Sequence, residues 1–199
     1  MNEFEYYQIY PKRDLHIPTV VESPKKYVRD NSWELYGKPI PDPEPTSFIC
    51  RKPVKYSKLI VGDHFWGPES VFSKKVADVL APMNIRGIQL IPTIVRINKR
   101  ELYNGFYYIH IHHYIKALDK QKSDFEYVFE YENYCIYDLV LDRKALAKIP
   151  LKERLIFKME EDGESLYHRL VVDAIMATDP LGIVFGHCET KKSYKYGEE

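Results

Sequence analysis

The chain has 199 residues, and its 29 lysines and arginines equal its 29 aspartates and glutamates. This length allows one sizeable core, and the zero net charge excludes a global electrostatic attraction to nucleic acid or to an anionic membrane. No apolar run is long enough to cross a bilayer, and acids and tyrosines stand where a secretory signal has a basic end and an apolar block. We therefore predict a cytoplasmic protein that has neither nucleic acid nor a membrane as a partner.

Two residue types refine this expectation. The cysteines, Cys50, Cys135 and Cys188, lie far apart without a CxxC pair, which is typical of reduced thiols in a cytoplasm. The 17 tyrosines exceed what a core requires, and tyrosine is enriched where one protein contacts another. Strand-rich proteins also carry many tyrosines, so the surplus has two explanations.

Residues 1–47 are predicted to form an N-terminal strand and a proline-rich arm. Residues 4–10 are β-prone and end at Pro11, which favours a strand at the edge of a sheet. The segment 37–45, GKPIPDPEP, has too many prolines for a helix or a central strand, so we expect an extended arm lying over the rest of the protein. A polyproline ligand for an SH3-type partner is the alternative.

Residues 48–199 are predicted to form one α+β domain with an internal repeat. Residues 71–92 align without a gap with residues 166–187, and Gly87 falls on Gly182 (182 − 87 = 95). Each copy has an apolar stripe at helical spacing, a turn that ends at the glycine, and a buried strand. With the strands before them, the copies make β-α-β units at about 57–92 and 153–188. Chance similarity between two amphipathic helices is the competing explanation.

The two helices, at 71–81 and 166–177, are expected on one side of a mostly antiparallel sheet. Further strands are predicted at 94–97 and 106–114, with Asn104-Gly105 in the turn between them. Alternation along the second strand places His110 and His112 on one face, where two imidazoles could reach one metal ion. A half-exposed face of histidines and tyrosines is the simpler interpretation.

The next predicted feature is a hairpin, with strands at 125–131 and 134–141. It carries tyrosines interspersed with glutamates. Four acids at 160–164 precede the second predicted helix, where the helix dipole favours negative charge.

The sequence contains none of the common catalytic signatures. We find no GxxxxGK[ST], GxGxxG, GxSxG or HExxH motif in the chain. The matched acids Asp78 and Asp173 of the repeat are typical of solvated charges on helix faces. We therefore predict a protein that is not an enzyme and binds no cofactor.

Three stretches resemble a known family: GFYYIHIHHYIKALD at 105–119, YDLVLDRKAL at 137–146 and LYHRLVVDAIMATDPLGIVFGH at 166–187. The family pattern has a GYY…DALD stretch, an LVLD strand, and a closing helix ending in a G-V-x-F strand. The residues at matching places are Gly105, Tyr107, Tyr108, Ala117, Leu118, Asp119, Leu139, Val140, Leu141, Asp142, Ala174, Ile175, Gly182, Ile183 and Phe185. His168 and Leu170 replace a Ser and an Arg of the closing helix.

The family is a bacterial domain-of-unknown-function family whose members are proposed to be immunity proteins of polymorphic toxin and type VI secretion systems. The resemblance implies a non-enzymatic protein that neutralises a cognate toxin or effector by protein–protein contact. The alternative is a metal-dependent or small-molecule enzyme that uses the face of His110 and His112.

A partner surface is predicted where tyrosines occur among acids, because tyrosines anchor interfaces and acids would complement a basic toxin cleft. Two stretches meet this description, the hairpin and the acidic segment before the second helix. The predicted contact residues are Tyr127, Glu130, Tyr131, Glu132, Tyr134, Glu160, Glu161, Asp162 and Tyr167. Packing of the tyrosines on a sheet, with the acids solvated, is the alternative.

Overall fold

A computed structural model of the chain describes residues 3–11, 21–22, 37–50, 60–65, 70–97, 101–130 and 132–189. In chain order its strands are β1 (Tyr6–Pro11), β2 (Val21–Glu22), β3 (Thr46–Cys50), β4 (His64–Phe65), β5 (Val71–Ser73), β6 (Ile88–Ile97), β7 (Glu101–Ile111), β8 (Tyr114–Ile115), β9 (Asp124–Val128), β10 (Asn133–Asp138), β11 (Ile156–Met159), β12 (Ser165–His168) and β13 (Ile183–His187). The α-helices are α1 (Lys74–Leu80), α2 (Arg143–Leu146) and α3 (Arg169–Met176), and short 3-10 helices cover Ala81–Met83 and Leu151–Glu153.

The strands form two large sheets and a separate hairpin. One sheet has the order β13-β1-β12-β11-β8, the other has the order β2-β3-β6-β7-β5-β4, and β9 pairs with β10 alone. Among the described strands, β3–β6 and β8–β11 are the parallel pairs, and the remaining pairs are antiparallel. The α+β prediction with mostly antiparallel pairing is confirmed, although the strands occupy more than one sheet.

The internal repeat is present in three dimensions at the spacing that the sequence predicts. Helices α1 and α3 begin 95 residues apart (169 − 74 = 95), and so do strands β6 and β13 (183 − 88 = 95). Gly87 and Gly182 have φ angles of 81° and 84°. Asn84 and Asp179, which precede them in the turns, have φ angles of 52° and 51°. This agreement in backbone conformation rules out a chance similarity of two amphipathic helices.

The repeat also preserves an ion pair on each helix. Lys74 Nζ lies 2.6 Å from Asp78 in α1, and Arg169 Nε lies 2.7 Å from Asp173 in α3. Each pair spans one helical turn. The matched acids therefore belong to helix-face ion pairs, as their positions in the sequence indicate.

Each helix begins later than predicted, because a short strand replaces its first turn. Strands β5 and β12 occupy the positions assigned to the helix starts, and their β-branched and aromatic residues pair with β7 and β1. The strand expected at the start of the first β-α-β unit, from about residue 57, is absent at Ile60 and Val61, and 57–59 lie outside the described residues. Its counterpart before the second helix is confirmed as β11.

Strand β1 is interior to its sheet rather than at the edge, because it lies between β13 and β12. Its place matches that of β7, which lies between β6 and β5 in the other sheet. Tyr7 pairs with Tyr167, and Tyr107 pairs with the equivalent Phe72. Each repeat unit therefore uses a third, central strand, taken from the N-terminal segment in one unit and from the following segment in the other.

Asn104 and Gly105 do not form the predicted turn, because β7 runs through them. Thr93 pairs with Phe106, but Val95 pairs with Tyr103, so β7 carries an extra residue at this point. Gly105 has a φ angle of 80°, which suits a β-bulge. The predicted strand 106–114 also ends early, at Ile111, and β8 follows after a break.

The core that unites the two units lies between the helices and the sheets. Phe72, Val76 and Leu80 of the first unit share one buried cluster with Val171 and Ile175 of the second. All five side chains are almost fully buried, so each unit covers the apolar stripe of the other. In the described part of the chain, no helix is long and apolar enough to span a membrane.

The described part of the proline-rich arm packs on the second sheet. Ile40 is buried, and its backbone exchanges hydrogen bonds with the side chain of Gln89 on β6, at 2.7 and 3.0 Å. The arm at 37–45 has no regular secondary structure. This segment therefore packs on the body as an irregular chain, with bends at 37–38 and 41–42 rather than the fully extended course that was predicted.

The turn at Gly87 gives a prediction about stability. A Cβ atom there would lie 2.2 Å from Cβ of His113, whereas one at Gly105 would lie 3.9 Å from its nearest neighbour, Cβ of Lys74. Because both glycines have positive φ, Gly105→Ala should cost about 1 kcal/mol for backbone strain alone. Gly87→Ala should cost about 1–2 kcal/mol more, since His113 must also move. Urea unfolding of both variants measures the difference, and equal losses would show that the contact with His113 is unimportant.

Candidate partner-binding surface

Residues 124–138, which we call the aromatic hairpin, form a two-stranded sheet of their own. Tyr127 of β9 pairs with Tyr134 of β10, and their ring centroids are 5.0 Å apart. The Phe125 ring lies 5.5 Å from Tyr134 on the same face, and the Phe129 ring lies 4.9 Å from Tyr127. The hairpin thus carries a continuous row of aromatic rings, which rigid edge-to-face contacts hold in place.

The tip of the aromatic hairpin carries the most exposed of its large apolar side chains, Phe129. Phe129 follows the end of β9 and is 83 % exposed, the highest value among the exposed large hydrophobic residues of the described chain. Tyr127 is also exposed beside it, and Tyr137 is exposed on the other strand. Neighbouring exposed aromatic rings of this kind mark interaction sites, and a partner that covered the Phe129 ring would gain the free energy of burying it.

Sequence reasoning missed Phe129, although it identified the hairpin. The predicted strand ran to residue 131, whereas β9 ends at Val128, so Phe129 lies in the turn and not in the aromatic row of a longer strand. Glu132, with a φ angle of 50°, closes that turn. Asn133 is the nearest turn-favouring residue in the sequence, and it gives only a weak signal for an end of the strand as early as Val128.

The two predicted contact stretches lie side by side. The backbone N–H of Tyr134 donates to the carbonyl of Glu161 at 3.0 Å. The side-chain amide of Asn133 lies 3.5 Å from the carbonyl of Asp162. The turn between β11 and β12 therefore contacts the start of β10, next to the turn of the aromatic hairpin, and residues distant in sequence contribute to one surface.

Some predicted contact residues have structural roles instead. Tyr167 is fully buried in the core between the repeat units, so its side chain cannot contact a partner in this structure. Glu161 is buried as well, and its carboxylate accepts hydrogen bonds from the backbone N–H groups of Ala117 and Leu118 at 3.3 and 3.1 Å. The acids at 160–164 lie in a β-turn and do not cap a helix, because β12 intervenes before α3.

The other predicted contact residues have the following positions. Glu130 and Glu132 are exposed at the hairpin turn, and Glu160 is exposed on the neighbouring turn, where it pairs with Lys116 at 3.4 Å. Tyr134 is half-buried and accepts a hydrogen bond from Lys120 Nζ at 2.6 Å. Tyr131 lies outside the described residues.

A groove of about 1140 Å³, which we call the mixed groove, runs along one side of the aromatic hairpin. Leu118 and Leu141, which form an isolated bridge, are in its lining, as are Tyr127 and Tyr134. Five lysines or arginines and five carboxylates also line it. This side of the hairpin is balanced in charge, contrary to a surface dominated by acids.

A second groove of about 520 Å³, the acidic groove, lies between the aromatic hairpin, β1 and the β11–β12 turn. Asp138, Asp162 and Glu164 line it together with the exposed rings of Tyr10 and Tyr137. No lysine, arginine or histidine is among the described lining residues. Burial, together with the charges of Glu164 and Glu161, raises the pKa of Asp162 to about 6.

His110 and His112 do share a face, with ring centroids 5.7 Å apart, but His110 is not arranged to bind a metal ion. Nε2 of His110 donates to the carbonyl of Lys38 at 2.9 Å, and Nδ1 accepts from the Tyr108 hydroxyl at 3.3 Å. Both ring nitrogens are thus engaged, and burial lowers the pKa of the ring. Within the described residues, no group of three or more histidines, cysteines or carboxylates could hold a metal ion.

Two of the motifs that carry the family resemblance, ALD at 117–119 and LVLD at 139–142, pair with each other beside the aromatic hairpin. Asp119 N–H donates to the carbonyl of Val140, and Asp142 N–H donates to that of Ala117, so the ALD and LVLD segments pair directly. The Asp142 carboxylate then accepts from two backbone N–H groups at the start of α2, both at 3.0 Å. These motif residues are therefore structural.

Comparison with known proteins identifies the family. No curated protein matches the chain. The sequence profile described as Immunity protein family (Imm11) matches residues 38–190, which is 153 of the 199 residues (190 − 38 + 1 = 153) and includes both copies of the sequence repeat, although not β1. This match confirms the resemblance seen in the ALD, LVLD and closing-helix motifs. The chain belongs to the Imm11 family of immunity proteins.

Proposed function

We propose that this protein neutralises a cognate toxin or effector protein by direct contact, without catalysis, in the cytoplasm of the cell that makes it. The toxin would be one delivered by a polymorphic toxin or type VI secretion system. Membership of an immunity protein family supports the general role. The aromatic hairpin supports the mode of action, because it offers a rigid, exposed aromatic surface of the kind that anchors protein interfaces.

The single observation that carries this proposal is the exposure of Phe129. Interfaces obtain most of their binding energy from a few aromatic or arginine anchors that become fully covered. Phe129 lies at the tip of a hairpin that pairs with no other strand among the described residues, and the Tyr127 ring contacts the Phe129 ring. A partner could enclose this ring without moving the rest of the protein.

Replacing Phe129 with serine should weaken binding of the cognate toxin by about 30-fold, which is about 2 kcal/mol. The melting temperature should change little, because the Phe129 ring is mostly in water already. Isothermal titration calorimetry with a catalytically inactive form of that toxin measures the affinity. Co-expression with the active toxin shows whether protection of a sensitive bacterial host is lost in parallel.

Leu102→Ser is the matched control. Leu102 is also a large exposed apolar side chain, at 55 %, but it lies on β7 in the six-stranded sheet. Its replacement should leave both affinity and protection unchanged. Equal loss of affinity in the two variants, or full affinity in Phe129→Ser, would contradict the assignment to the hairpin. Failure of the unmodified protein to protect against the toxin would contradict the proposed function itself.

A further inference from the structure

The aromatic hairpin is strongly asymmetric in charge for a protein that has no net charge. Residues 124–138 contain five carboxylates and no lysine, arginine or histidine. Asp124, Glu126, Glu130 and Glu132 are all exposed. The first two alternate with the aromatic residues along β9, and Glu130 and Glu132 lie in the turn that carries Phe129. Since the whole chain balances its acids and bases, the absence of bases here is a local property of this surface.

The two sides of the hairpin differ. The mixed groove offers as many positive as negative groups, so it does not favour either charge on a partner. The acidic groove presents three carboxylates without a basic residue in its described lining, and two exposed tyrosine rings form part of its walls. Aromatic faces beside carboxylates are suited to lysine and especially to arginine side chains, which combine ion pairing with stacking.

The carboxylates of the acidic groove are also crowded. Asp162 resists ionisation, because it is partly buried and close to other acids, and its pKa rises to about 6. A positive group from a partner would relieve this repulsion, and the gain is available only to a cation. Glu126 adds a further carboxylate at the edge of this side, where it accepts a hydrogen bond from the Tyr137 hydroxyl at 3.1 Å.

We propose that the docking face of the toxin is basic, and that the acid-bearing aromatic hairpin receives its lysine and arginine side chains, with the acidic groove as the principal cation-accepting part. This inference rests on the proposed function and specifies the chemistry of the partner. Acids among the aromatic residues would steer a basic toxin surface toward the hairpin and accelerate association.

The charge preference can be tested on the free protein, without the toxin. The probes are an acetylated and amidated (Arg-Gly)₃ peptide and the (Gln-Gly)₃ peptide of the same length. Amide chemical shifts in ¹⁵N-labelled protein should move for the arginine peptide at the aromatic hairpin and the β11–β12 turn, and should not move for the glutamine peptide. The shifts should shrink as salt is added, because exposed charges are screened.

The variant pair Asp138→Asn and Glu164→Gln removes two charges of the acidic groove while keeping side-chain size. It should raise the dissociation constant of the arginine peptide by about fivefold. Asp42→Asn is the control, since Asp42 is exposed on the arm, and asparagine tolerates its φ of 44°. Arginine-peptide shifts scattered over the whole surface, or equal affinity in the groove variant and the control, would overturn the inference.

The peptide experiment and the test of the proposed function can succeed or fail independently. The peptide experiment reports on charge chemistry whether or not the protein protects against a toxin. If the arginine peptide binds as expected but no protection is seen, the surface is a basic-partner site and the immunity role fails. If protection is seen and Phe129 matters, while the charge variants bind the toxin with unchanged affinity and salt dependence, the basic docking face is wrong.

Discussion

Replacing Arg154 with methionine should lower the free energy of unfolding by about 3 kcal/mol, because buried acceptors lose a charged hydrogen-bond donor. Its side chain is only 1 % exposed, so the guanidinium has been removed from water. It donates to the carbonyls of Ile149 and Glu3 and to the Tyr6 hydroxyl, at 3.0, 2.9 and 2.9 Å, and it pairs with the Glu3 carboxylate. Methionine fills a similar volume but leaves these acceptors without a donor.

The expected loss is large because Arg154 joins parts of the chain that are far apart in sequence. Through Glu3 and Tyr6 it fixes the segment that enters β1, and β1 is the central strand of the second repeat unit. His168, at the end of β12, contacts the Glu3 carbonyl through Nε2 at 3.1 Å and reinforces the same segment. Loss of Arg154 therefore removes its own hydrogen bonds and also weakens the attachment of β1 to the rest of the protein.

Arg86→Met is the control for this experiment. Arg86 also pairs with a glutamate, Glu153, at 2.5 Å, but its own side chain is 74 % exposed. Exposed pairs contribute about 0–1 kcal/mol, so this variant should unfold at nearly the same urea concentration as the unmodified protein. Similar midpoints for the two variants would show that the burial of Arg154 does not determine its contribution.

The repeat was predictable from sequence because its two copies share both spacing and a glycine requirement. An ungapped match that preserves Gly87 and Gly182 indicates a conserved turn, and positive φ at both positions explains why glycine is needed. Strands were predicted near β1 and β7, but their equivalence as central strands was missed because one lies before its unit in the sequence and the other lies after its unit. Tyr7 and Tyr107 are equivalent at a separation of 100 residues (107 − 7 = 100), which differs from the spacing of the repeat.

The candidate surface was only partly predictable from the sequence, because the sequence pattern does not show which side chains are covered in the folded protein. Alternation of aromatics and acids locates the hairpin, but burial depends on what packs against it. Tyr167 reads like the hairpin tyrosines in sequence, yet it lies in the core because α1 and α3 cover the strand that carries it. Conversely, the exposure of Phe129 follows from where β9 ends, and strand ends are the least certain part of a pattern.

Stability should fall with acid because of His64, and replacing this residue with isoleucine should remove that sensitivity. His64 is almost fully buried on the edge strand β4, and its ring lies 4.9 Å from Phe72. Neither ring nitrogen has a hydrogen-bond partner among the described residues. Burial lowers its pKa to about 3, from an ordinary value of 6.5.

The direction of the change in stability with pH follows from the folded and the ordinary pKa of His64. Between pH 6.5 and about 3, the unfolded chain binds a proton at His64 that the folded chain does not. The contribution of the neutral ring is therefore complete above pH 6.5 and is lost as the pH falls, by about 1.4 kcal/mol for each unit. At about pH 4.5 the loss attributable to His64 should be about 3 kcal/mol.

Isoleucine is chosen to replace His64 because the second repeat unit has isoleucine at the equivalent position. His64 pairs with Phe72, and Ile156 pairs with the equivalent Tyr167, so the chain already uses isoleucine at the corresponding place. His64→Ile should be about 1 kcal/mol more stable than the unmodified protein at neutral pH, because an unsatisfied polar ring is replaced by an apolar side chain. Its advantage should widen to about 4 kcal/mol near pH 4.5, since the other titrating groups are common to both proteins. Urea unfolding at a series of pH values measures the two stability curves, and parallel curves would show that His64 is not the acid-sensitive group.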